Sequence, residues 1–413
     1  MKYNLGLMDQ YPIEAAGSCL ENNPMFRVVF KQPIDPVRLE EAFYKAIEKY
    51  PLFGTCVKFD KRYYLETNTK LLKIIKAKEE ERPKTFGENT NDYPWQVCYY
   101  NNKLTFEWLH GVSDGIGAFN FLKQALCFYY GIDLKIYDNK YLVAPGLEPF
   151  FDNKEKGINY QNDPEGFSFK EFPAKIRGYK TTAYSLKTET KQLLDLAKVT
   201  KSSIAPIISI LFSQAIRSKL PNNIKNRKVA CNVVVDLRRL LNYETMHNCV
   251  EYKRITYLDE YDDMSFSAVA KIYKQILDNA RLIPNVVRII TDRVNLFRLY
   301  HIFRNEKLLK LCFKTFGKML KHSDCNFVLT YLGKADFPLE VIEEIEDFDF
   351  KVWHDFGECI LSCLDYNGTF NLNISDNFVA DGIVDEFIEL SKKVGIYWEL
   401  IDKSEYEQAH FER

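Results

Sequence analysis

Residues 145 to 180 defeat every regular pattern, because Pro145, Gly146, Pro149, Gly157, Pro164, Gly166, Pro173 and Gly178 interrupt them in turn. A stretch this long with no helical or strand period of its own reads as a crossover between two packed units. The chain has 413 residues, more than the roughly 250–300 that one hydrophobic core supports. Two domains are therefore expected, residues 1–178 with the crossover included and residues 179–413.

Both halves mix strands with helices. Met25 to Phe30 reads as a strand, and Asp35-Pro36 opens a helix with Asp as N-cap and Pro at the first helical position. Leu39, Ala42, Phe43, Ala46 and Ile47 give it one apolar stripe, which Pro51 ends. Strands are expected at Thr55–Phe59, Tyr63–Glu66, Gln96–Tyr100 and Leu104–Leu109, the last two joined by Asn101-Asn102. A helix follows Gly115, with Ile116, Phe119, Leu122, Leu126 and Tyr129 on one side. In the second half Ser202-Ser203 start a helix that Leu220-Pro221 stops, and Val229 to Val235 reads as a buried strand. Asn367-Gly368 is a hairpin turn between Ile360–Tyr366 and Phe370–Ile374. The strand, His110-x-x-x-Asp114-Gly115-Ile116 and helix of the first half are echoed by a strand, Asn377-x-x-x-Asp381-Gly382-Ile383 and helix in the second. This points to a duplication in which one copy carries a histidine.

A net charge of −1 gives no global attraction to nucleic acid or an anionic membrane. The first 20 residues contain Asp9, Pro12 and Glu14 and no apolar core, so no signal peptide is expected. The longest apolar run, Ile204 to Phe212, contains Pro206 and is far shorter than the ~20 residues of a spanning helix. The ten cysteines lack framework or metal-ligand spacing, which predicts reduced thiols in the cytoplasm and no metal site. With 30 Phe and 26 Tyr the chain has either a large aromatic core or aromatic-lined channels. Arg281 to Lys321 holds ten Lys or Arg against Asp292 and Glu306. It reads first as the solvated face of helices whose apolar side carries Leu296, Leu299, Leu308 and Leu311, and second as an attractor of phosphates.

His110 stands where a strand ends and a Gly-rich turn leads into a helix. Histidine is the side chain whose ordinary pKa suits proton transfer near neutral pH. Taken alone, the pattern favours an ordinary surface or core histidine, with Ser113 or Asp114 capping the next helix. A zinc pair at this spacing needs a helix, and Gly111 and Gly115 argue against one.

The wider sequence favours the catalytic reading. Trp108-Leu109-His110-Gly111-Val112-Ser113-Asp114-Gly115-Ile116-Gly117-Ala118 resembles the H-x-x-x-D-G signature of the chloramphenicol acetyltransferase-like superfamily. That group contains alcohol acetyltransferases, polyketide-associated and plant-type acyltransferases, and peptide-synthetase condensation domains. Ile34-Asp35-Pro36-x-x-Leu39 with Lys49-Tyr50-Pro51-Leu52-Phe53, then Val235-Asp236-Leu237-Arg238, then Thr330-Tyr331-Leu332-Gly333 with Pro338, resemble further family segments in the family's order. Leu109 stands where condensation domains usually have a second histidine, and Tyr331 where the family frequently has Asn. Asp355-Phe356-Gly357 matches only half of the plant-type motif. The closest likeness is to stand-alone alcohol acetyltransferases.

The resemblance implies an α/β (α+β) chain of two domains, each a mixed, mostly antiparallel sheet flanked by helices, with a substrate channel between them. It implies His110 as general base, with no acyl-enzyme and no permanently bound cofactor. Acyl-CoA is the expected co-substrate and a small hydroxyl or amine compound the acceptor; an acyl carrier protein is the alternative donor. A non-catalytic binding protein of the same fold is the third reading. A triad-like Asp114 is one possibility from the residues, but the family's aspartate turns away from the histidine and pairs with an arginine. Arg238 is then the first candidate partner and Arg239 the second. Gly115 is expected to let the backbone turn tightly, and an oxyanion donor is expected in a backbone amide near the turn or around Thr330, Tyr331 and Gly333.

Overall fold

The computed structural model describes residues 2–6, 9, 10, 13, 23–78, 87–134, 164–167, 180–222, 224, 226–286, 305–308, 325–352, 359–376 and 382–407. Their strands are β1 (Lys2–Asn4), β2 (Pro24–Phe30), β3 (Thr55–Asp60), β4 (Arg62–Thr67), β5 (Ile74–Lys76), β6 (Trp95–Tyr100), β7 (Lys103–Trp108) and β8 (Lys180–Glu189). Then come β9 (Val229–Asp236), β10 (Val250–Tyr257), β11 (Phe327–Lys334), β12 (Ile345–Val352), β13 (Cys359–Tyr366), β14 (Thr369–Asp376) and β15 (Glu399–Glu407). The longer helices are α1 (Pro36–Lys49), α2 (Gly115–Tyr129), α3 (Thr190–Thr200), α4 (Ile204–Lys219), α5 (Phe266–Ala280) and α6 (Ile383–Lys393).

Local chemistry accounts for the helix ends. The Asp35 carboxylate accepts from the amides of Val37 at 3.0 Å and Arg38 at 3.2 Å, so α1 starts where its cap and Pro36 require. Asn367 and Gly368 both take left-handed φ values, 49° and 82°, the backbone that a two-residue hairpin between β13 and β14 needs. Helix α2 departs from a one-sided stripe: Ala118, Phe121, Ala125 and Cys127 are buried as well as Phe119 and Leu122, because α1 and other elements cover it on several sides.

The strands form two main sheets, in the orders β12-β2-β7-β6-β5 and β10-β9-β11-β13-β14-β8-β15, with a small sheet β1-β4-β3 beside the first. Both main sheets are mixed and mostly antiparallel. In the first, β5 and β6 run parallel; in the second, β11 runs parallel to both β9 and β13. Strand β12 belongs to the first sheet, pairing with β2 from Ile345↔Phe30 to Val352↔Pro24, although it lies far along the chain.

Two buried cores follow the sheets. The aromatic residues fill the first: Phe53 and Phe121 stack at 4.0 Å, and Phe106 and Trp108 stack at 5.6 Å. The high Phe and Tyr content thus serves packing in this half. Of the basic stretch, only residues 281–286 and 305–308 are described; there Arg281 and Leu308 are both exposed, the latter at 48%. Asp355 to Gly357, Asn377, Asp381, Leu296, Leu299 and Leu311 lie outside the described residues.

Candidate active site

β7 ends at Trp108, and its indole Nε1 donates to the Ser113 carbonyl at 2.9 Å, closing the loop between β7 and α2. Within that loop Leu109 donates to Pro94 O at 2.8 Å and Val112 donates to Leu109 O at 2.9 Å. His110 sits at this turn, half-buried, with Nδ1 enclosed and without a hydrogen-bond partner.

Asp114 does not hold His110. It is 1% exposed, and its Oδ1 accepts from the Gly117 amide at 2.9 Å and from Arg238 Nη2 at 2.8 Å. Its Oδ2 accepts from the Cys249 amide at 2.9 Å. The carboxylate therefore caps α2 and closes a buried ion pair with the single helical turn Arg238–Leu241. Arg238 also donates to Asp236 Oδ1 at 2.8 Å, Thr245 O at 3.0 Å and His247 O at 2.9 Å. Burial alone would lower its pKa, but the Asp114 carboxylate outweighs that and leaves it raised. Arg239 takes no part in the pair; it is exposed on the wall of the neighbouring cavity.

Gly115 adopts no left-handed backbone. It is the first residue of α2, and a Cβ there would lie 2.6 Å from Leu332 Cδ2. Its place is set by the close approach of β11 rather than by a tight turn. That approach brings the Thr330–Gly333 segment up to the motif. At Gly333, φ is +86°, and the pairing of β11 with β13 shifts register between Tyr331 and Lys334. The Tyr331 ring lies 5.4 Å from Phe370, and burial pushes its phenol up to about 12.

A cavity of about 970 Å³ opens beside these elements, at the top of the range of about 300–1,000 Å³ typical of small-molecule sites. Its wall includes Ile116, Arg238, Arg239, Thr330, Tyr331 and Gly333. Met246, Arg281 and Lys334 also contribute, whereas His110 does not. The cavity thus reaches the motif from the side of α2 and Arg238. Cys249, whose amide bonds Asp114, has a thiol that burial pushes up to about 12, so it stays protonated and is a poor nucleophile.

The segment Thr245–Cys249 was not visible as part of the site in the sequence, yet it touches the motif loop repeatedly. Ser113 Oγ donates to Met246 O at 2.6 Å, and Asn248 Nδ2 donates to His110 O at 2.9 Å. These contacts join residues more than 130 positions apart, so no local pattern announces them.

No protein-family model matches the chain, and no curated protein matches it by sequence. Solved structures do match over nearly its full length. TRI101 of F. sporotrichioides, complexed with coenzyme A and T-2, superposes with a TM-score of 0.65 at 13% identity over 97% of this chain and 100% of its own. Polyketide synthase associated protein 5 from Mycobacterium tuberculosis gives 0.63 at 12% identity over 96% and 97%. The epimerization domain from the third module of tyrocidine synthetase B gives 0.60 at 11% identity over 95% of each. The fold is that of the chloramphenicol acetyltransferase-like acyltransferases and condensation domains, as the motif segments imply. Among the described residues no single helix is long and apolar enough to cross a membrane.

Proposed function

We propose that the chain is an acyltransferase that moves an acyl group from a thioester, most simply acyl-CoA, to a hydroxyl or amine acceptor with His110 as general base. One observation carries the reading: the loop bearing His110 is locked by a buried Asp114–Arg238 pair, and a cavity of about 970 Å³ adjoins that lock. With Nδ1 enclosed, Nε2 is the ring nitrogen left to meet an acceptor.

The acceptor O–H or N–H gives its proton to Nε2 as its heteroatom attacks the thioester carbonyl carbon. The tetrahedral intermediate collapses, the C–S bond breaks, and the departing thiolate takes the proton from Nε2. One imidazole serves as base and then as acid, and because the acceptor itself is the nucleophile no acyl-enzyme forms. Such proton transfer is worth about 10²–10⁴-fold, and holding both substrates in register contributes up to roughly 7–11 kcal/mol. Thr330 and the backbone near the motif turn are the candidate oxyanion donors. Arg239, Arg281 and Lys334 on the cavity wall supply positive charge for the phosphates of a CoA donor.

The test is thiol release from acetyl-CoA with a panel of alcohols and amines, wild type beside His110→Ala, with an acyl carrier protein as a second donor arm. Equal activity of the two proteins removes His110 from the mechanism. Turnover with the carrier alone moves the reading to carrier-dependent transfer. Tight binding of the donor without turnover in any arm marks a non-catalytic relative.

A further inference from the structure

The Asp114 end of the motif loop is fixed by Arg238, and the His110 end has a separate anchorage. Asn248 Nδ2 places one hydrogen on His110 O at 2.9 Å and the other on Asp9 Oδ1 at 2.8 Å. The Asn248 backbone N–H also donates to Asp9 Oδ1 at 3.3 Å, and the Gly6 backbone N–H donates to Asp9 Oδ2 at 3.2 Å. His247 Nδ1 lies 3.4 Å from the same carboxylate oxygen. Asp9, His247 and Asn248 are 1%, 2% and 6% exposed, so water does not share this work. The N-terminal segment also presses on the next residue of the loop: a Cβ on Gly111 would lie 2.6 Å from Asp9 O and 2.2 Å from Ile13 Cγ1.

The direction of the Asn248 amide is set by charge. Turning it over would aim Oδ1 at the Asp9 carboxylate and at His110 O, which are both acceptors. Its own Oδ1 is buried without a partner, a loss that is accepted while both amide hydrogens are engaged. Asn248 thus reaches the carbonyl of the residue read as the base, and Asp9, remote in sequence from both, holds Asn248.

We propose that Asn248 is a positioning residue for His110, and that Asp9 acts by orienting the Asn248 amide. The inference rests on the reading of His110 as general base. In an active wild-type protein, Asn248→Ala lowers kcat by about 10²-fold, the loss that a displacement near 1 Å produces, with both KM values close to wild type. In the His110→Ala background the same substitution has no further effect, because a residue that acts through the imidazole has nothing left to position. The exchange Asp9→Asn with Asn248→Asp restores a donor–acceptor pair between the two positions but offers no amide hydrogen to His110 O. It melts above Asn248→Asp alone, because the pair is restored while an acceptor still faces His110 O, and leaves kcat low.

A wild-type kcat in Asn248→Ala, or a kcat restored by the exchange, overturns the inference. Full activity of His110→Ala instead overturns the underlying reading, so the two failures are distinct. If Asn248→Ala does not fold, Asn248→Ser is read in the same way. If no donor supports turnover, the carbethoxylation rate of His110 by diethyl pyrocarbonate serves: it changes in the Asn248 variant, and an unchanged rate overturns the inference.

Discussion

The two halves of the molecule are built on one plan and use it differently. The strand order β12-β2-β7-β6-β5 of the first sheet reappears in the second as β15-β8-β14-β13-β11, and each of the four pairings has the same orientation in both. A hairpin leads into α2 in one half and α6 in the other, and these pack against α1 and α4 respectively. The differences lie at the ends of the plan. The first half carries His110 at the junction, where the second carries Asn377. The second half extends its sheet with β9 and β10, and the chain between those two strands supplies Arg238 and Thr245–Cys249. One copy presents a histidine and the other holds the loop on which it sits.

The strongest way to break this division is His110→Ala. Under the proposed function its rate falls by about 10²–10⁴-fold, and thermal unfolding stays near wild type because the imidazole is half-buried with its Nδ1 unpartnered. Asn377→His, which places a histidine in the second copy of that variant, restores nothing, since the Asp114–Arg238 pair and Asn248 hold the loop of the first copy. Recovery of thiol release in the double variant contradicts the division.

Arg238→Met tests the lock itself. It leaves the Asp114 carboxylate buried without its cation, and breaking such a pair by removing one partner costs about 3–5 kcal/mol. Denaturant unfolding reads the stability, and kcat falls with it. A substitution at exposed Arg239 lowers stability far less and acts, if CoA is the donor, on its KM.

What was legible in the sequence was local. Asp35-Pro36, Asn367-Gly368 and the strand-to-helix junction at His110 each state their backbone within a few residues, and each forms as read. Arg238 was reached through resemblance, and its contact with Asp114 joins residues 124 positions apart. Strand β12 was missed because Glu346, Asp347 and Asp349 mask the inward Phe348 and Phe350. Asp347 and Asp349 face a polar seam between the sheets, where Lys187 pairs with Asp347 at 2.7 Å and Asn373 bonds Asp349. Strand β8, rich in Thr, Ser and Lys, carries the same seam and hid for the same reason. Asp9 and Asn248 are single polar residues in unpatterned sequence, and only tertiary structure makes them partners.

The smallest expected effects separate two glycines that the sequence makes look equivalent, Gly115 and Gly382. Asp114 caps α2 and Gly115 begins it with no left-handed backbone, whereas Gly382 itself precedes α6 at φ +87°. A Cβ at Gly115 meets Leu332 Cδ2 at 2.6 Å, while at Gly382 the nearest atom is Lys219 Cε at 3.7 Å. Gly115→Ala is therefore a packing change, with a cost of about 1–3 kcal/mol and a displaced Leu332 on the cavity wall that alters substrate KM. Gly382→Ala is a backbone change that forces an L-residue into the left-handed region, at about 1–2 kcal/mol, and leaves kcat and KM alone because its Cβ touches no site residue. Melting curves and steady-state kinetics on the pair decide the matter: a KM change at Gly382 and none at Gly115 would show that the two junctions do not divide support and chemistry as their geometry implies.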